Sequence, residues 1–390
     1  MNHVMEMDQS YIAGTYRRFP VQIVSGQGST LYDDAGKKYI DLGAGIAVNG
    51  FGINDASWKD AVIAQLNQIQ HTSNLYYTQP QAELAELLCR RTGMKKVFFG
   101  NSGAEANECA IKAARKYASD KYGEGVRNTI ITLVNSFHGR TITTLSATGQ
   151  DVFHHHFGPF PPGFVHVPAN DINAMRQAMN EHAVCGVMLE MVQGEGGVLP
   201  LAADFVRQTA ALCAEKDILM VVDEVQTGMG RTGTLFAYEQ FGIHPDIVST
   251  AKGIAGGLPM GACLLGDKLQ DTLSAGTHGS TFGGNPVCAA GALNILNRID
   301  DTLLADVRRK SARLIQAISA MRGVKSVSGM GLMLGIETEA PAVDVVNRGI
   351  ERGVLMLTAK SKVRLLPALT ITDAELDEAL RAMADALDCR

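Results

Sequence analysis

Two reactive side chains stand just past apolar, strand-like runs. In DILMVVDEVQTGMGRTG, Asp223 and Glu224 follow Ile218–Val222, and in PDIVSTAKGIAGGLPMG, Lys252 follows Asp246–Ser249 and precedes a Gly-rich stretch. Open α/β sheets bind ligands at the carboxyl ends of their strands, so an acid and a lysine are offered to one crevice. A third feature is FFGNSGAEANECAIKAARKY, where a strand ends at Phe99, Asn101-Ser102-Gly103 form a turn, and Ala104 begins a helix. The free N–H groups and positive dipole end of such a helix suit a phosphate. Ser102 as a simple N-cap accounts for the same residues.

Taken together, these parts describe a pyridoxal 5'-phosphate site: a lysine to condense with an aldehyde, an acid to pair with a pyridinium nitrogen, and a helix N-terminus for a phosphate. Phe137, in LVNSFHGRT, offers a ring face for stacking, and Val225 packs the opposite face. Competing chemistries are poorly supported. An apolar strand ending in Asp-Glu also fits a nucleotidase, but the only Gly-Lys pair, Gly36-Lys37, lacks the remaining glycine of a phosphate loop. GMGLMLG (Gly329 to Gly335) has the wrong spacing for a dinucleotide fingerprint, and GQGSTL (Gly26 to Leu31) lies between β segments rather than opening a helix. His154–His156 has no acidic or cysteine partner at ligand spacing and reads as a solvated loop, so no metal is expected.

The elements that must position these residues alternate along the chain. Apolar β-rich runs at Lys96–Phe99, Thr129–Val134, Val184–Leu189, Ile218–Val222 and Asp246–Ser249 are separated by helical patterns such as Gln79–Arg91, Ala104–Lys121 and Ala203–Lys216. Continuous apolar strands with intervening helices predict an α/β fold with a mostly parallel sheet buried on both faces. After Pro286 a long helical run through about Met321 gives way to short strands and an amphipathic C-terminal helix, a smaller α+β domain that the strand-like GSTLYDDAGKKYIDL of the N-terminus joins. The expected division is residues 1–47 as an N-terminal segment of the small domain, 48–287 as the large cofactor-binding domain, and 288–390 as the C-terminal small domain.

Composition narrows the classes. The chain has 390 residues, 46% hydrophobic and 19% charged, with a net charge of -5, so it offers no electrostatic footprint for nucleic acid or an anionic membrane. Cys89, Cys109, Cys185, Cys213, Cys263, Cys288 and Cys389 are scattered without a Cys-x-x-Cys pair and read as reduced core thiols. MNHVMEMDQS lacks the apolar stretch of a secretory signal, and Thr272–Asn297, though uncharged, is too polar to span a membrane. A cytoplasmic location is expected.

The whole chain is similar to the class III, fold type I pyridoxal phosphate aminotransferases, and within them to the acetylornithine branch. The resemblance runs through YIDLGAGIAVN, HTSNLYYTQPQAELAELL, NSGAEANECAIKAARKY, NSFHGRT, MLEMVQGEGGV, VVDEVQTGMGRTG, STAKGIAGGLPMGA, HGSTFGGNP and VRLLPALTIT. It implies that Lys252 binds the cofactor and shuttles the proton, that Asp223 pairs with the ring nitrogen, and that Gln226 lies by the ring hydroxyl. It further implies that Ser102, Gly103 and Ala104 hold the phosphate, and that Thr281 reaches the phosphate of a neighbouring subunit in a homodimer with shared sites. Arg140, with Ser280 nearby, would grip the carboxylate of the acylated amino acid. Arg364 would take the α-carboxylate of glutamate or 2-oxoglutarate, with Glu195 as its gate. Either arginine could instead belong to a structural ion pair.

Gly45 stands where ornithine aminotransferases carry a tyrosine, which favours an acylated ornithine. NGFGINDASW departs from the family's Leu-Gly-His-x-His-Pro segment, and residues 50–58 carry no functional expectation. The implied reaction moves the δ-amino group of N-acetylornithine to 2-oxoglutarate. Succinylornithine, N-succinyl-diaminopimelate, ornithine and 4-aminobutyrate transamination are the near alternatives, and a non-catalytic cofactor-binding regulator is the distant one.

Overall fold

A computed structural model describes residues 2–388. Its centre is a seven-stranded sheet in the order Lys96–Gly100, Gly261–Leu265, Ile247–Thr250, Leu219–Asp223, Val184–Leu189, Thr129–Leu133, Phe164–Val167. Every neighbouring pair is parallel except the two made by Gly261–Leu265, which runs against both its partners. Ile247–Thr250, Leu219–Asp223 and Val184–Leu189 are buried at every position, as strands covered on both faces must be.

The helix Gly103–Tyr122 covers one face with Ala106, Ala110, Ala113 and Ala114, all fully buried, whose small side chains let its backbone approach the sheet. Ser102 starts it: its Oγ accepts a hydrogen bond from the Glu105 N–H at 3.2 Å. On the same face Leu219, Val221 and Ile247 meet it, while Val187, Met220 and Val248 feed the larger cluster on the other side. Adjacent residues of one strand thus serve opposite layers.

The remaining strands form two four-stranded sheets among the N- and C-terminal segments. Val324–Met330, Met333–Thr338, Lys362–Leu365 and Leu357–Ala359 make an antiparallel sheet. Ile23–Gln27, Thr30–Asp33 and Lys38–Asp41 make the other, which Val354–Leu355 completes by pairing in parallel with Lys38–Asp41. Ile40 and Leu42 lie in one core with Leu334, Val346 and Leu376, so the two ends of the chain share buried apolar surface.

Several features depart from the expected elements, and two strands of the central sheet, Phe164–Val167 and Gly261–Leu265, lie outside the expected runs. The run after Pro286 is two helices, Pro286–Arg298 and Asp301–Ser319, because Asp300 turns its carboxylate onto the Leu303 N–H at 2.8 Å and caps a new helix. A helix at His3–Tyr11, capped by Asn2, buries none of its residues, so no apolar stripe announced it. The GQGSTL and Gly36-Lys37 segments lie in a sheet of hairpins, as expected of neither nucleotide-binding loop. His154 Nε2 donates to the backbone carbonyls of Leu145 and Thr148, and no cluster of metal-ligating side chains occurs among the described residues. Five of the described cysteines are buried and Cys89 is half-buried, all free; Cys389 lies outside the described residues. Among the described residues no helix is long and apolar enough to cross a membrane.

Candidate active site

The strand ends converge on a cavity of about 470 Å³ whose lining includes Gly103, Phe137, Arg140, Asp223, Gln226 and Lys252. Ser102, Ala104 and Val225 line it too. Asp223 closes the strand Leu219–Asp223 and is 3% exposed. Its Oδ1 accepts from the Val225 N–H at 3.0 Å. Its Oδ2 accepts from Asn107 Nδ2 at 2.8 Å and from His138 Nδ1 at 2.8 Å. Because a carboxylate only accepts, the His138 proton must sit on Nδ1. Asn107 also donates to the His138 carbonyl at 2.7 Å, and the His138 N–H donates to Thr148 Oγ1 at 2.9 Å, so the backbone that carries the imidazole is fixed at both its polar groups. Burial, the largest influence on this ring, works to lower its pKa, but the Asp223 hydrogen bond and charge and the Glu190 charge carry it above the ordinary value. His138 Nε2 is buried without a partner.

Lys252 follows the strand Ile247–Thr250 in the left-handed region, with φ 48. A non-glycine residue in that region costs about 1–2 kcal/mol, and such strain is characteristic of functional sites. Desolvation at the cavity wall brings its amine down to about 8, with Glu195 opposing and Arg364 reinforcing. Glu190 lies just past the strand Val184–Leu189 and accepts from the Phe137 N–H at 2.9 Å. Burial pushes its carboxyl up to about 8, with His138 opposing and Asp223 adding to the rise.

At the start of Gly103–Tyr122 the N–H groups of Gly103 and Ala104 meet no acceptor among the described residues, while Ser102 Oγ satisfies Glu105. Glycine is required there, since a Cβ at Gly103 would come within 2.7 Å of Val225 Cγ1. Two open N–H donors at a helix N-terminus, an amine with a depressed pKa and a buried, twice-anchored carboxylate fit pyridoxal phosphate at its phosphate, aldehyde and ring nitrogen.

Two arginines flank this site in different states. Arg364 is 3% exposed, and its Nη1 donates to Glu195 Oε1 at 2.5 Å and to Gln226 Oε1 at 3.3 Å. Burial pushes the Glu195 carboxyl up, but the charges of Arg364 and Lys252 and the Arg364 hydrogen bond outweigh it and hold the group below its ordinary value. Arg140 is exposed and has no acidic partner among the described residues; its guanidinium lies over the Phe153 ring at 4.1 Å and the Phe137 ring at 5.4 Å. Glu195 and Arg364 reach the cavity through Gln226 rather than lining it themselves.

Within one chain Ser280 does not join Arg140. Ser280 and Thr281 line an adjacent cavity of about 500 Å³, and the two cavities share Asn101, whose Nδ2 donates to Ser280 Oγ at 3.1 Å. Asn107, His138 and Glu190 were not singled out from the sequence. The strand-end rule that found Asp223 also marks Glu190, and Asn107 lies one helical turn beyond Gly103; the His138 contact needs the tertiary fold.

A family model described as aminotransferase class-III matches residues 11–387. The chain belongs to the class-III aminotransferases. A similar relative is the acetylornithine aminotransferase of Haemophilus ducreyi, 51% identical over 388 residues that cover 99% of this chain and 98% of that one. The N-acetylornithine aminotransferase of Stenotrophomonas maltophilia K279a superposes with a TM-score of 0.85 at 37% identity, covering 98% of each chain. The ornithine aminotransferase of Toxoplasma gondii ME49 superposes with a TM-score of 0.94 at 30% identity, covering 98% of this chain and 94% of that one. This class-III aminotransferase is therefore a pyridoxal phosphate-dependent enzyme with the mixed sheet of fold type I.

Proposed function

We propose that this aminotransferase moves the δ-amino group of N2-acetyl-L-ornithine to 2-oxoglutarate, giving N-acetyl-L-glutamate 5-semialdehyde and L-glutamate, as a cytoplasmic homodimer serving arginine biosynthesis. The contrast between the two arginines carries the reading. N-acetylornithine reacts at an amine remote from its only carboxylate, and Arg140 is an accessible cation with no acid to displace. Glutamate brings a carboxylate directly beside the reacting carbon, and Arg364 is a buried cation already charge-paired to Glu195. The relatives named above add support for the acylated substrate. So does Gly45, in a left-handed turn where a Cβ would already stand 3.2 Å from Asn49 Nδ2, leaving no side chain there for a free α-amino group.

Bound pyridoxal phosphate supplies an aldehyde that takes up the amino group and a ring that withdraws electrons from the carbon losing its proton. Ser102, Gly103 and Ala104 would bind the phosphate, and Asp223 would hold the proton at the ring nitrogen. Phe137 and Val225 would flank the ring, and Gln226 would lie by its hydroxyl. Lys252 would hold the aldehyde end and would serve as the base for the proton on the substrate's δ-carbon; an amine pulled down to about 8 has the free base on hand near neutrality. Thr281, outside its own chain's cavity, serves the partner's phosphate.

Steady-state kinetics with N-acetylornithine, N-succinylornithine and ornithine side by side test the substrate. The acetylated donor should have the highest kcat/KM, and a preference for free ornithine would overturn the reading. Mixing Lys252→Ala with Thr281→Ala subunits tests the shared site. Activity should return in the heterodimer, and none returning would remove Thr281 from the partner's site.

A further inference from the structure

The role of Arg140 poses a physical problem that the surrounding residues answer. An arginine that must receive a substrate carboxylate has to be held in place, yet a carboxylate partner would occupy the N–H groups the substrate needs. An aromatic face holds a guanidinium through its ring quadrupole and leaves the in-plane donors free. Arg140 has that arrangement: its guanidinium carbon lies 4.1 Å from the Phe153 ring centroid, closer than to Phe137 at 5.4 Å. Among the described residues no acid pairs with Arg140, and Glu108, on the neighbouring helix, accepts from Thr141 Oγ1 at 2.5 Å.

Phe153 is itself held on both sides. It ends the short helix Asp151–Phe153, and its N–H donates to the Gln150 carbonyl at 3.0 Å. Gln150 is 7% exposed and donates to the Ser136 carbonyl at 3.0 Å, tying the turn to the residue before Phe137. His154 Nε2 lies 2.9 Å from the Leu145 carbonyl and 2.8 Å from the Thr148 carbonyl, tying it to the helix that follows Arg140. The Phe153 ring meets the Phe137 ring edge-on, with centroids 5.8 Å apart at 81°. One ring therefore contacts both the aromatic residue at the cofactor cavity and the cation above it.

We infer that Phe153 is a positioning residue for substrate selection: it presents the Arg140 guanidinium, donors unoccupied, to the carboxylate of the amino donor. This rests on the reading of Arg140 as the donor's carboxylate partner. The Phe153 contact with Phe137 would act on every donor alike, so the part that works through Arg140 is the part that depends on the substrate's carboxylate.

The test compares N-acetylornithine with N-acetylputrescine, the same molecule without its carboxylate, on the holoenzyme. The ratio of their kcat/KM values measures the carboxylate contact. Arg140→Ala should collapse that ratio. Phe153→Leu should lower it about two- to fivefold, the range a cation–π contact spans at an exposed site, chiefly through a raised KM for N-acetylornithine; any change passed through Phe137 falls on both donors and cancels in the ratio. Phe153→Tyr, which keeps the ring face, should retain the wild-type ratio and supplies the comparison should the leucine variant fold poorly. If Arg140→Ala collapses the ratio while Phe153→Leu leaves it intact, or if Phe153→Tyr lowers it as far as Arg140→Ala does, the positioning role is overturned and the reading of Arg140 stands. If Arg140→Ala itself leaves the ratio unchanged, both fall.

Discussion

His138 Nδ1 sits 2.8 Å from Asp223 Oδ2, with both side chains buried and Asn107 donating to the same oxygen at 2.8 Å. The two donors hold one carboxylate oxygen in a fixed direction, so the orientation of the group assigned to the ring nitrogen depends on them. His138→Ala should therefore weaken cofactor retention about 10- to 100-fold, the effect of one charge-assisted hydrogen bond lost in a buried site. Spectral titration of the apoenzyme with pyridoxal phosphate measures it. Unchanged affinity and kcat would mean that the imidazole only fills space.

Lys252 should stand out among the lysines of the apoenzyme. Desolvation pulls its amine down to about 8, so the neutral, nucleophilic form grows as pH rises through that value. Acylation of the apoenzyme with a limiting amine reagent, followed by peptide mapping, should show Lys252 labelled with a midpoint near 8. Labelling that still climbs in parallel with exposed lysines would contradict the assigned environment. Lys252→Ala should abolish turnover, and borohydride reduction of the holoenzyme should leave the cofactor on this lysine's peptide.

The Glu195–Arg364 pair should govern choice between donors. A buried pair can be exchanged for another carboxylate more readily than a lone buried cation can be left waiting. Glu195→Ala is expected to slow the half-reaction with N-acetylornithine while sparing or speeding the one with glutamate, a shift in preference of about 1–3 kcal/mol. Single-turnover absorbance of each half-reaction decides the matter, and equal slowing of both would refute the gate.

Glu224 makes a separate prediction about stability. Burial, opposed by hydrogen bonds from Thr227, Ala237 and Tyr238, raises its carboxyl from 4.5 to about 7. The folded chain then keeps a proton that the unfolded chain has lost, so this group's contribution is fully present at low pH and falls away as pH rises from the ordinary carboxyl range through about 7. Glu224→Gln should gain about 1–3 kcal/mol relative to wild type between about pH 5 and pH 8. Denaturation midpoints of both proteins at the two pH values provide the check, and a constant difference would show that Glu224 does not titrate in this window.

Periodicity and strand-end position were enough to place five of the sheet's seven strands, the helix that follows Ser102 and the positions of Asp223 and Lys252 at or just past strand ends, because these are local signals. A fully apolar run must be covered on both faces, and a residue just past it must emerge at the sheet's edge. Arg140, Glu195 and Arg364 are candidates through the family resemblance alone, which does not give their states. Arg140 and Arg364 are the same residue type, and only the fold leaves one exposed over Phe153 and buries the other against Glu195. The His138–Asp223 contact joins positions 85 residues apart, and the Glu195–Arg364 contact joins positions 169 apart. Their geometry, and the pKa shifts that follow from desolvation, exist only once the layers have packed and water has been excluded.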